Sequence, residues 1–510
     1  MMKRIFGNTL AQGVGLAIAF LDRFLVVGLL LRAWGTEVYS DWAVLLSCVG
    51  MLSLGELGLN IYYGNVMQQA YAIGDERLFA RTVAIALSSS FGVASLLGIL
   101  GWILVSALDI PASLQLVVTE QQEALVVLSV MGLATLSRIA RGAVSQILRG
   151  RQQFLVGVLV DQVFLASLVV GMLAGAALAV RPVTMAALYF ACDLCFGWGI
   201  TLWVLGRRCP LLRLVPVLPR ASELSDIARH VRWLGIQQAF PTAWLQLPIL
   251  ILSQLGSTGA SLVSLIVLRT LVNFARTIGT MISIGAGVET AAVQHRVGEE
   301  HVLRIVHATG HVLAVVSVLV AAGILNFGPT LLHLWTGHSE YFSLPILAPL
   351  LVGSVAAAPS ASLYSHLMLT NKQRPVSLAV LVQLVVGLGT CAALAPGHGV
   401  VGAALGLCLG EAIGQGVVLP MCASRDVPRL EYARYLKSAV GAMLPAALWS
   451  WAIGWVVTKV LFAGATWWQL VVGGALWVAV GVFPIVWLLI PQAHRLALWQ
   501  RLCNRQAWSV

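Results

Sequence analysis

Residues 73–81 read IGDERLFAR, and residues 297–304 read VGEEHVLR. Both carry Gly-acid-Glu-basic, with Gly74 answering to Gly298, and each lies between two long apolar runs. Two more pairs keep nearly the same offset. LRGRQQ (Leu148–Gln153) corresponds to LTNKQR (Leu369–Arg374), and WGTEVYS after the first apolar run (from Trp34) to LGSTGAS after the seventh (from Leu255). Three matches at nearly one offset, each between corresponding runs, indicate two homologous halves of six runs. Six is even, so both halves enter a membrane in the same sense, as a parallel repeat.

The composition requires that membrane. The chain is 59% hydrophobic and 10% charged, against about 25% charged in soluble domains. Runs of about 20 apolar residues suit a bilayer core. Fourteen occur, at 8–31, 41–66, 82–108, 123–147, 154–180, 183–205, 233–255, 260–288, 305–325, 343–369, 376–395, 400–421, 439–462 and 470–490. The seventh is the least apolar. The first is too long for a signal-peptide core, carries two charges and lacks a small-residue cleavage site, so it reads as a retained span. The expected fold is all-α and polytopic, with about fourteen transmembrane helices. Two six-helix lobes, 1–205 and 233–421, are joined by a cytoplasmic linker at 206–232, and 422–510 adds spans 13 and 14 and a tail.

Charge sets the orientation. With a cytoplasmic N-terminus, 23 of the 31 Lys and Arg fall on the cytoplasmic side, two (Arg32 and Arg181) on the periplasmic side and six inside spans. By the positive-inside rule both termini are cytoplasmic. The net charge of +11 is scattered over eight short segments, which argues against nucleic acid as a partner. Of the eight cysteines, Cys209, Cys422 and Cys503 are cytoplasmic and the rest lie in spans. Cys192 and Cys195 have CxxC spacing but no second pair, so packing is expected there rather than metal.

Charges within spans are costly, about 2.5–3.5 kcal/mol each on insertion scales, and face a bundle interior or a wet cavity. They are Asp22 and Arg23 in IAFLDRFLVV (Ile18–Val27), Glu56, Arg138 and Arg141, Asp161, Asp193, Arg269 and Arg276, and Glu411. By the 1.5 Å helical rise, Arg23 and Arg269 sit at similar depth, roughly 12 and 14 Å from the periplasmic ends of their spans. With Arg276 two turns deeper, they form a stripe suited to an anion path through a cavity between the lobes. Glu56, Arg138 and Asp161 also share a depth, and an acid-base-acid cluster is expected. Its carboxylates, with Asp22, Asp193 and Glu411, are candidates for exchanging H⁺ or Na⁺, the alternative being plain neutralisation of buried arginines. Asp193 and Glu411 occupy corresponding spans, three residues out of register. His307 and His311, four apart, have metal or proton-relay spacing but no third ligand, which favours packing. Pro241 and Pro248, beside Gln237, Gln238 and Gln246, should bend span 7 into a gate. Glu289 and Lys459, near span ends, snorkel to the surface and take no role.

WGTEVYSDWAVLLSCVGMLSLGELGLN (Trp34–Asn60) resembles the Gly-x-x-x-Tyr-x-x-Trp turn and acidic-Leu-Gly-Leu segment of bacterial polysaccharide flippases. These belong to the multidrug/oligosaccharidyl-lipid/polysaccharide exporter superfamily. GHGVVGAALGLCLGEAI (Gly397–Ile413), the Gly-acid-Glu loops and the Leu-Thr-Asn-Lys-Gln before span 11 resemble the same proteins. The resemblance covers spans 1–12. It implies a V-shaped central cavity, no catalytic residues, no cofactor and a location in the bacterial inner membrane. The implied cargo is undecaprenyl-diphosphate-linked oligosaccharide, moved from the cytoplasmic to the periplasmic leaflet, with membrane lipids and polysaccharide polymerase machinery as further partners. Related lipid II flippases carry a basic-acidic pair in span 1 and an arginine in span 8. By that likeness Arg23 and Arg269 contact the diphosphate, with Asp22 and Glu56 beside them; Arg276, Arg138 and Arg141 are candidates for the anionic cavity by their depth in the spans. The order here is Asp-Arg, the reverse of theirs. In those proteins spans 13 and 14 hold the lipid tail.

A major-facilitator transporter would carry Gly-x-x-x-Asp-Arg-x-Gly-Arg in loop 2–3, which MQQAYAIGDERLFAR lacks. A multidrug exporter of the same superfamily is the closer alternative, although five deep arginines favour an anionic cargo. A membrane polymerase or ligase would need large basic periplasmic loops, which are missing.

Overall fold

The computed structural model describes residues 15–489 except 16, 19, 108, 211–213, 298, 371, 427–431, 463 and 465. Cys503 lies outside them. Among the described residues every regular element is helical, and eleven helical runs are long and apolar enough to cross a membrane. The sequence has fourteen apolar runs. Two of the eleven, Asp22–Ala72 and Gln373–Ser424, pass through breaks at Gly35 and Gly399, and the polar seventh run is not among the eleven. The chain is a multi-pass membrane protein. It divides into two compact units, Met1–Ile266 with Leu384–Gly406, and Val267–Gln383 with Leu407–Val510.

The first unit begins with a π-helical turn, Asp22–Val26, leading into α1 (Val27–Gly50). Gly35, at φ 76° and ψ 177°, turns the chain between the first two apolar runs. The second run is itself broken. A 3₁₀ segment, Met51–Glu56, ends at left-handed Leu57 and Gly58 before α2 (Leu59–Ala72) resumes. Next come α3 (Glu76–Ala107), α4 (Gln121–Gly150), α5 (Phe154–Ala177), α6 (Pro182–Cys192), a π-helix over Asp193–Gly199, α7 (Ile200–Arg208) and α8 (Ala221–Gln254). Tyr63, Met67, Phe79, Val83, Leu87, Val144 and Ile147 form its core.

The WGTEVYSDW motif assembles one end of this unit. Trp34 donates from Nε1 to the Val180 carbonyl at 2.7 Å, Tyr39 and Trp42 are buried, and Ser40 accepts the Gly259 N–H at 2.9 Å. Asp41, 1% exposed, accepts the N–H groups of Val117, Val118 and Thr119 at 2.8, 2.9 and 2.8 Å. At the other end, Arg81 and Glu223 pair at 2.9 Å. The Arg220 backbone N–H and the Arg81 guanidinium hold the Glu223 carboxyl below its usual range.

The piece of chain around Gly399 is tightly wound. A Cβ on Gly406 would lie 2.6 Å from the Cys391 nitrogen and 2.7 Å from the Gly387 oxygen, so two helix backbones touch there. Small residues permit such approach between membrane helices. Gly406→Ala is expected to lower stability by about 1–3 kcal/mol, as overpacking does. Gly389→Ala, which meets open space, should not, and thermal unfolding in detergent distinguishes them.

The second unit contains α9 (Ala260–Val297, from Val267 on), α10 (Glu299–Thr336) and α11 (Leu344–Ala357). A 3₁₀ turn, Ala358–Ser360, connects α11 to α12 (Ala361–Leu369), and the end of α13 (Gln373–Glu411) leads into a π-helix over Ala412–Val418 and α14 (Leu419–Asp426). α15 (Tyr432–Val456) and α16 (Trp467–Trp477) follow. These last spans are built into the unit. Ala314, Val315 and Leu319 pack against Tyr435, Ala439 and Met443, and Gly310 and Gly323 sit directly beneath Tyr435 and Trp477.

Candidate functional site

Several of the deep charges gather into one cluster in each unit. In the first, Arg141 and Arg149 of α4 share Asp161 as a partner, with Arg138 one turn before Arg141. Asp193, fully buried, opens the π-helix that interrupts span 6. Its Oδ2 accepts from Ser137 Oγ at 2.7 Å, and Ser137 accepts from Trp198 Nε1 at 2.7 Å. Arg141 Nε stands 3.7 Å from Asp193 Oδ1, and its Nη1 3.8 Å from Asp161 Oδ1. Its guanidinium lies 4.1 Å over the Phe164 ring. Arg149 donates to Asp161 Oδ2 at 2.8 Å, and Arg138 lies 5.1 Å over Tyr189. Single-turn π-helices recur at functional sites because the extra residue re-aims side chains.

In the second unit Arg276 of α9 meets Glu411 of α13. Its Nη1 donates to Oε1 at 2.5 Å and its Nη2 to Oε2, a bidentate pair. Nε donates to Ser354 Oγ of α11 at 3.1 Å, and Asn273 Oδ1 lies 3.4 Å from Nη1. The Glu411 side chain is 5% exposed, that of Arg276 29%. A Cβ on Gly353 would sit 2.9 Å from Glu411 Oε2, so a glycine makes the room. The π-helix Ala412–Val418 starts immediately after Glu411, and in the first unit a π-helix likewise starts at Asp193.

The expected Glu56–Arg138–Asp161 cluster does not form. Glu56 instead accepts from Asn60 Nδ2 at 2.9 Å, and Asn60 in turn accepts from Ser90 at 3.2 Å. Shared depth did not mean a shared face. The break at Leu57 and Gly58 resets the phase of span 2, and Arg141, not Arg138, reaches both aspartates.

Asp22 is partly buried and Arg23 exposed within the π-turn. Among the described residues Arg23 forms no ion pair beyond the field of adjacent Asp22. Arg269 is buried, 6% exposed. Pro248 is buried and Pro241 exposed, both inside α8. α8 packs on the broken part of span 2, with Gln246 against Gly50, Leu234 and Gln238 against Gly58, and Thr242 Oγ1 3.4 Å from Ser53 Oγ. His307 stacks on Tyr435 at 4.6 Å and His311 edges the same ring at 6.5 Å, the packing role. Cys192 is buried, Cys195 exposed, and neither is bonded to another cysteine. Among the described residues no three His, Cys, Asp or Glu could hold a metal ion. Glu289 and Lys459 are exposed.

Sequence reasoning missed Ser137, Trp198 and Ser354, which complete the two clusters. Ser137 lies four residues before Arg141 in an apolar run and was legible as a same-face partner. Ser354 had no comparable signal.

No family model matches the sequence, and no curated protein matches it. Solved structures do. An inward-facing multidrug resistance MATE family transporter of the MOP superfamily matches with TM-score 0.64 and 14% identity, over 82% of this chain and 99% of that one. The lipid II flippase MurJ, in an inward closed conformation, also matches at 0.64, with 10% identity over 94% of this chain and 98% of its own. A MOP superfamily transporter from Pyrococcus furiosus matches at 0.56, with 15% identity over 82% and 95%.

The fold is that of the MOP-superfamily transporters. Irregular backbone at membrane depth is tolerated where it is buried in protein or lines a wet cavity.

Proposed function

We propose that the chain is a lipid-linked oligosaccharide flippase of the bacterial cytoplasmic membrane, with both termini cytoplasmic. It carries undecaprenyl-diphosphate-linked saccharide to the periplasmic leaflet by alternating access, coupled to an ion gradient. The observation that carries the reading is the division of labour among the deep arginines. Arg141, Arg149 and Arg276 are bound to carboxylates, whereas Arg23 is exposed in an apolar span and forms no such pair among the described residues. A cation at that depth with only the field of the adjacent Asp22 is expensive unless a further counter-charge arrives with the cargo. A diphosphate is such a counter-charge, and a guanidinium binds it in bidentate fashion. Arg23 and Arg269 are the proposed diphosphate contacts, and Pro241 and Pro248 remain the proposed hinge of span 7. The greater share of this chain matched by the lipid II flippase, 94% against 82%, supports a lipid-linked cargo.

Export of small drugs is the second reading, favoured by the equal TM-score of the multidrug transporter. Deleting the protein and measuring lipid-linked intermediates by mass spectrometry separates the two. A flippase leaves undecaprenyl-diphosphate oligosaccharide in the cytoplasmic leaflet, whereas an exporter leaves the lipid pool unchanged and alters drug sensitivity. Arg23→Ala and Arg269→Ala are expected to abolish complementation at normal expression, and Lys459→Ala to retain it. Full activity of both arginine variants would remove them from the site.

A further inference from the structure

Arg276 is held in an unusual position for a structural ion-pair partner. Glu411 occupies both outer nitrogens of the guanidinium and Ser354 fixes Nε, so the plane of the guanidinium is fixed with its donors pre-aimed. Yet Arg276 remains more than a quarter exposed while the carboxylate is enclosed. A bidentate carboxylate and a bidentate phosphate present the same two-oxygen edge to an arginine. Glu411 therefore occupies the geometry that a phosphoryl group of the cargo would occupy.

The geometry points to Glu411 as an internal competitor of the cargo: Arg276 exchanges its carboxylate partner for a diphosphate oxygen as Glu411 takes up a proton. This deepens the flippase reading and rests on it. The exchange balances. The two N–H···O contacts from Arg276 to Glu411 are lost, two form to the diphosphate, and the enclosed carboxylate, now without its cation, gains one O–H bond using a proton from solution. An isolated carboxylate in so dry a place is too costly to stay ionised. By reciprocal linkage, one proton taken up with the anion means that lower pH strengthens anion binding, and that bound anion strengthens proton binding.

The surroundings leave few other groups to carry the proton. α11 (LPILAPLLVGSVAA), the turn Ala358–Ser360 and the π-helix Ala412–Val418 contain no titratable side chain. α9 contributes Arg276 itself and, two turns away, Arg269. α13 contributes Cys408, whose Cα lies beside Gly353 as Glu411 does. α12 and α14, next in sequence to those turns, add Tyr364, His366, Cys422, Arg425 and Asp426.

The test uses the full-length protein in nanodiscs and a short-chain prenyl diphosphate N-acetylglucosamine. That probe is a diphosphate diester with no proton of its own to exchange near neutral pH. Calorimetry in buffers of different ionisation enthalpy should give about one proton taken up per ligand, and affinity should fall about tenfold per pH unit on raising the pH. Glu411→Gln should bind without proton uptake and with a flat pH profile, tighter than the parent at alkaline pH. Difference infrared spectra should show a protonated carboxyl band on binding that Glu411→Gln lacks. Should that variant fail to fold, Glu411→Asp keeps the acid and should shift the band. Binding without proton uptake, or uptake that persists in Glu411→Gln, overturns the inference while leaving the flippase reading intact. No binding of the diester by the parent protein at any pH overturns both.

Discussion

Arg276→Ala is expected to destabilise the second unit by about 3–5 kcal/mol, the cost of leaving one partner of a buried ion pair uncompensated. The bidentate contact and the enclosure of Glu411 put this pair in that class rather than among surface salt bridges, which are worth about 0–1 kcal/mol. The asymmetry of exposure makes the single variants unequal. Removing Arg276 strands the carboxylate, whose side chain is 5% exposed, whereas Glu411→Gln leaves an arginine that is 29% exposed and still bonded to Ser354. Glu411→Gln should therefore cost less than half as much. The double variant Arg276→Ala/Glu411→Gln should be more stable than Arg276→Ala alone, because the stranded charge is gone. Thermal unfolding of the four proteins in one detergent closes the double-mutant cycle. If Arg276→Ala and Glu411→Gln were equally mild and additive, the pair would be no more than a surface contact.

What the sequence displayed, and what it concealed, divides along a physical line. Depth along a helix follows from counting residues, and so does the expectation that charges at one level belong together. Azimuth does not follow so simply. Arg138 and Arg141 differ by one turn in depth, yet one stacks on Tyr189 while the other reaches Asp161 and Asp193. A count assumes uninterrupted 3.6-residue periodicity, and this chain interrupts it where its charges lie. Glu56 ends a 3₁₀ segment, Asp193 begins a π-helix and Glu411 immediately precedes one. Each 3₁₀ or π turn rotates everything beyond it relative to an ideal helix.

The breaks themselves keep a rhythm that the sequence carried in its loops. Left-handed residues recur in pairs, Gly35 with Gly256, Gln115 with Gly337, and Ala179 with Gly399. Each pair keeps, to within a single position, the offset that separates Leu148 from Leu369 in the loop repeats, which supports reading the chain as a duplication. Only some of these positions are glycine, so the backbone repeat outlasts the sequence repeat. The three-residue slip between Asp193 and Glu411 has a local counterpart. The first acid lies within its π-helix and the second just before it, and each still meets an arginine of its own unit.

Asp41→Ala should have the largest effect in the first unit, more than about 3 kcal/mol, because its carboxylate carries several charge-assisted bonds at once. No deep-charge argument singles this residue out, since it follows the turn at Gly35 near a span end. Its two carboxylate oxygens accept three successive backbone N–H groups, from Val117, Val118 and Thr119. The segment is a non-helical stretch between α3 and α4 with no sheet to satisfy it. Each charge-assisted bond is worth about 1.5–3 kcal/mol, and an alanine offers the three donors nothing. Asp41→Asn keeps one acceptor oxygen and turns a donor toward the remaining amides, so it should fall between the parent and alanine. The consequence extends to α8. Beside this loop Leu114 accepts from Ser253 Oγ, and Gln115 donates to the Gln254 carbonyl at 3.3 Å. Releasing residues 117–119 therefore loosens the end of span 7 as well. Hydrogen exchange in nanodiscs reads this directly. The amides of Val117–Thr119 should exchange at least about a hundredfold faster in Asp41→Ala, the equivalent of roughly 2.8 kcal/mol, with a smaller acceleration at Ser253–Ser257. Unchanged protection at both places would mean that the loop is held by its packing alone, and that the aspartate in WGTEVYSDW serves something other than this connection.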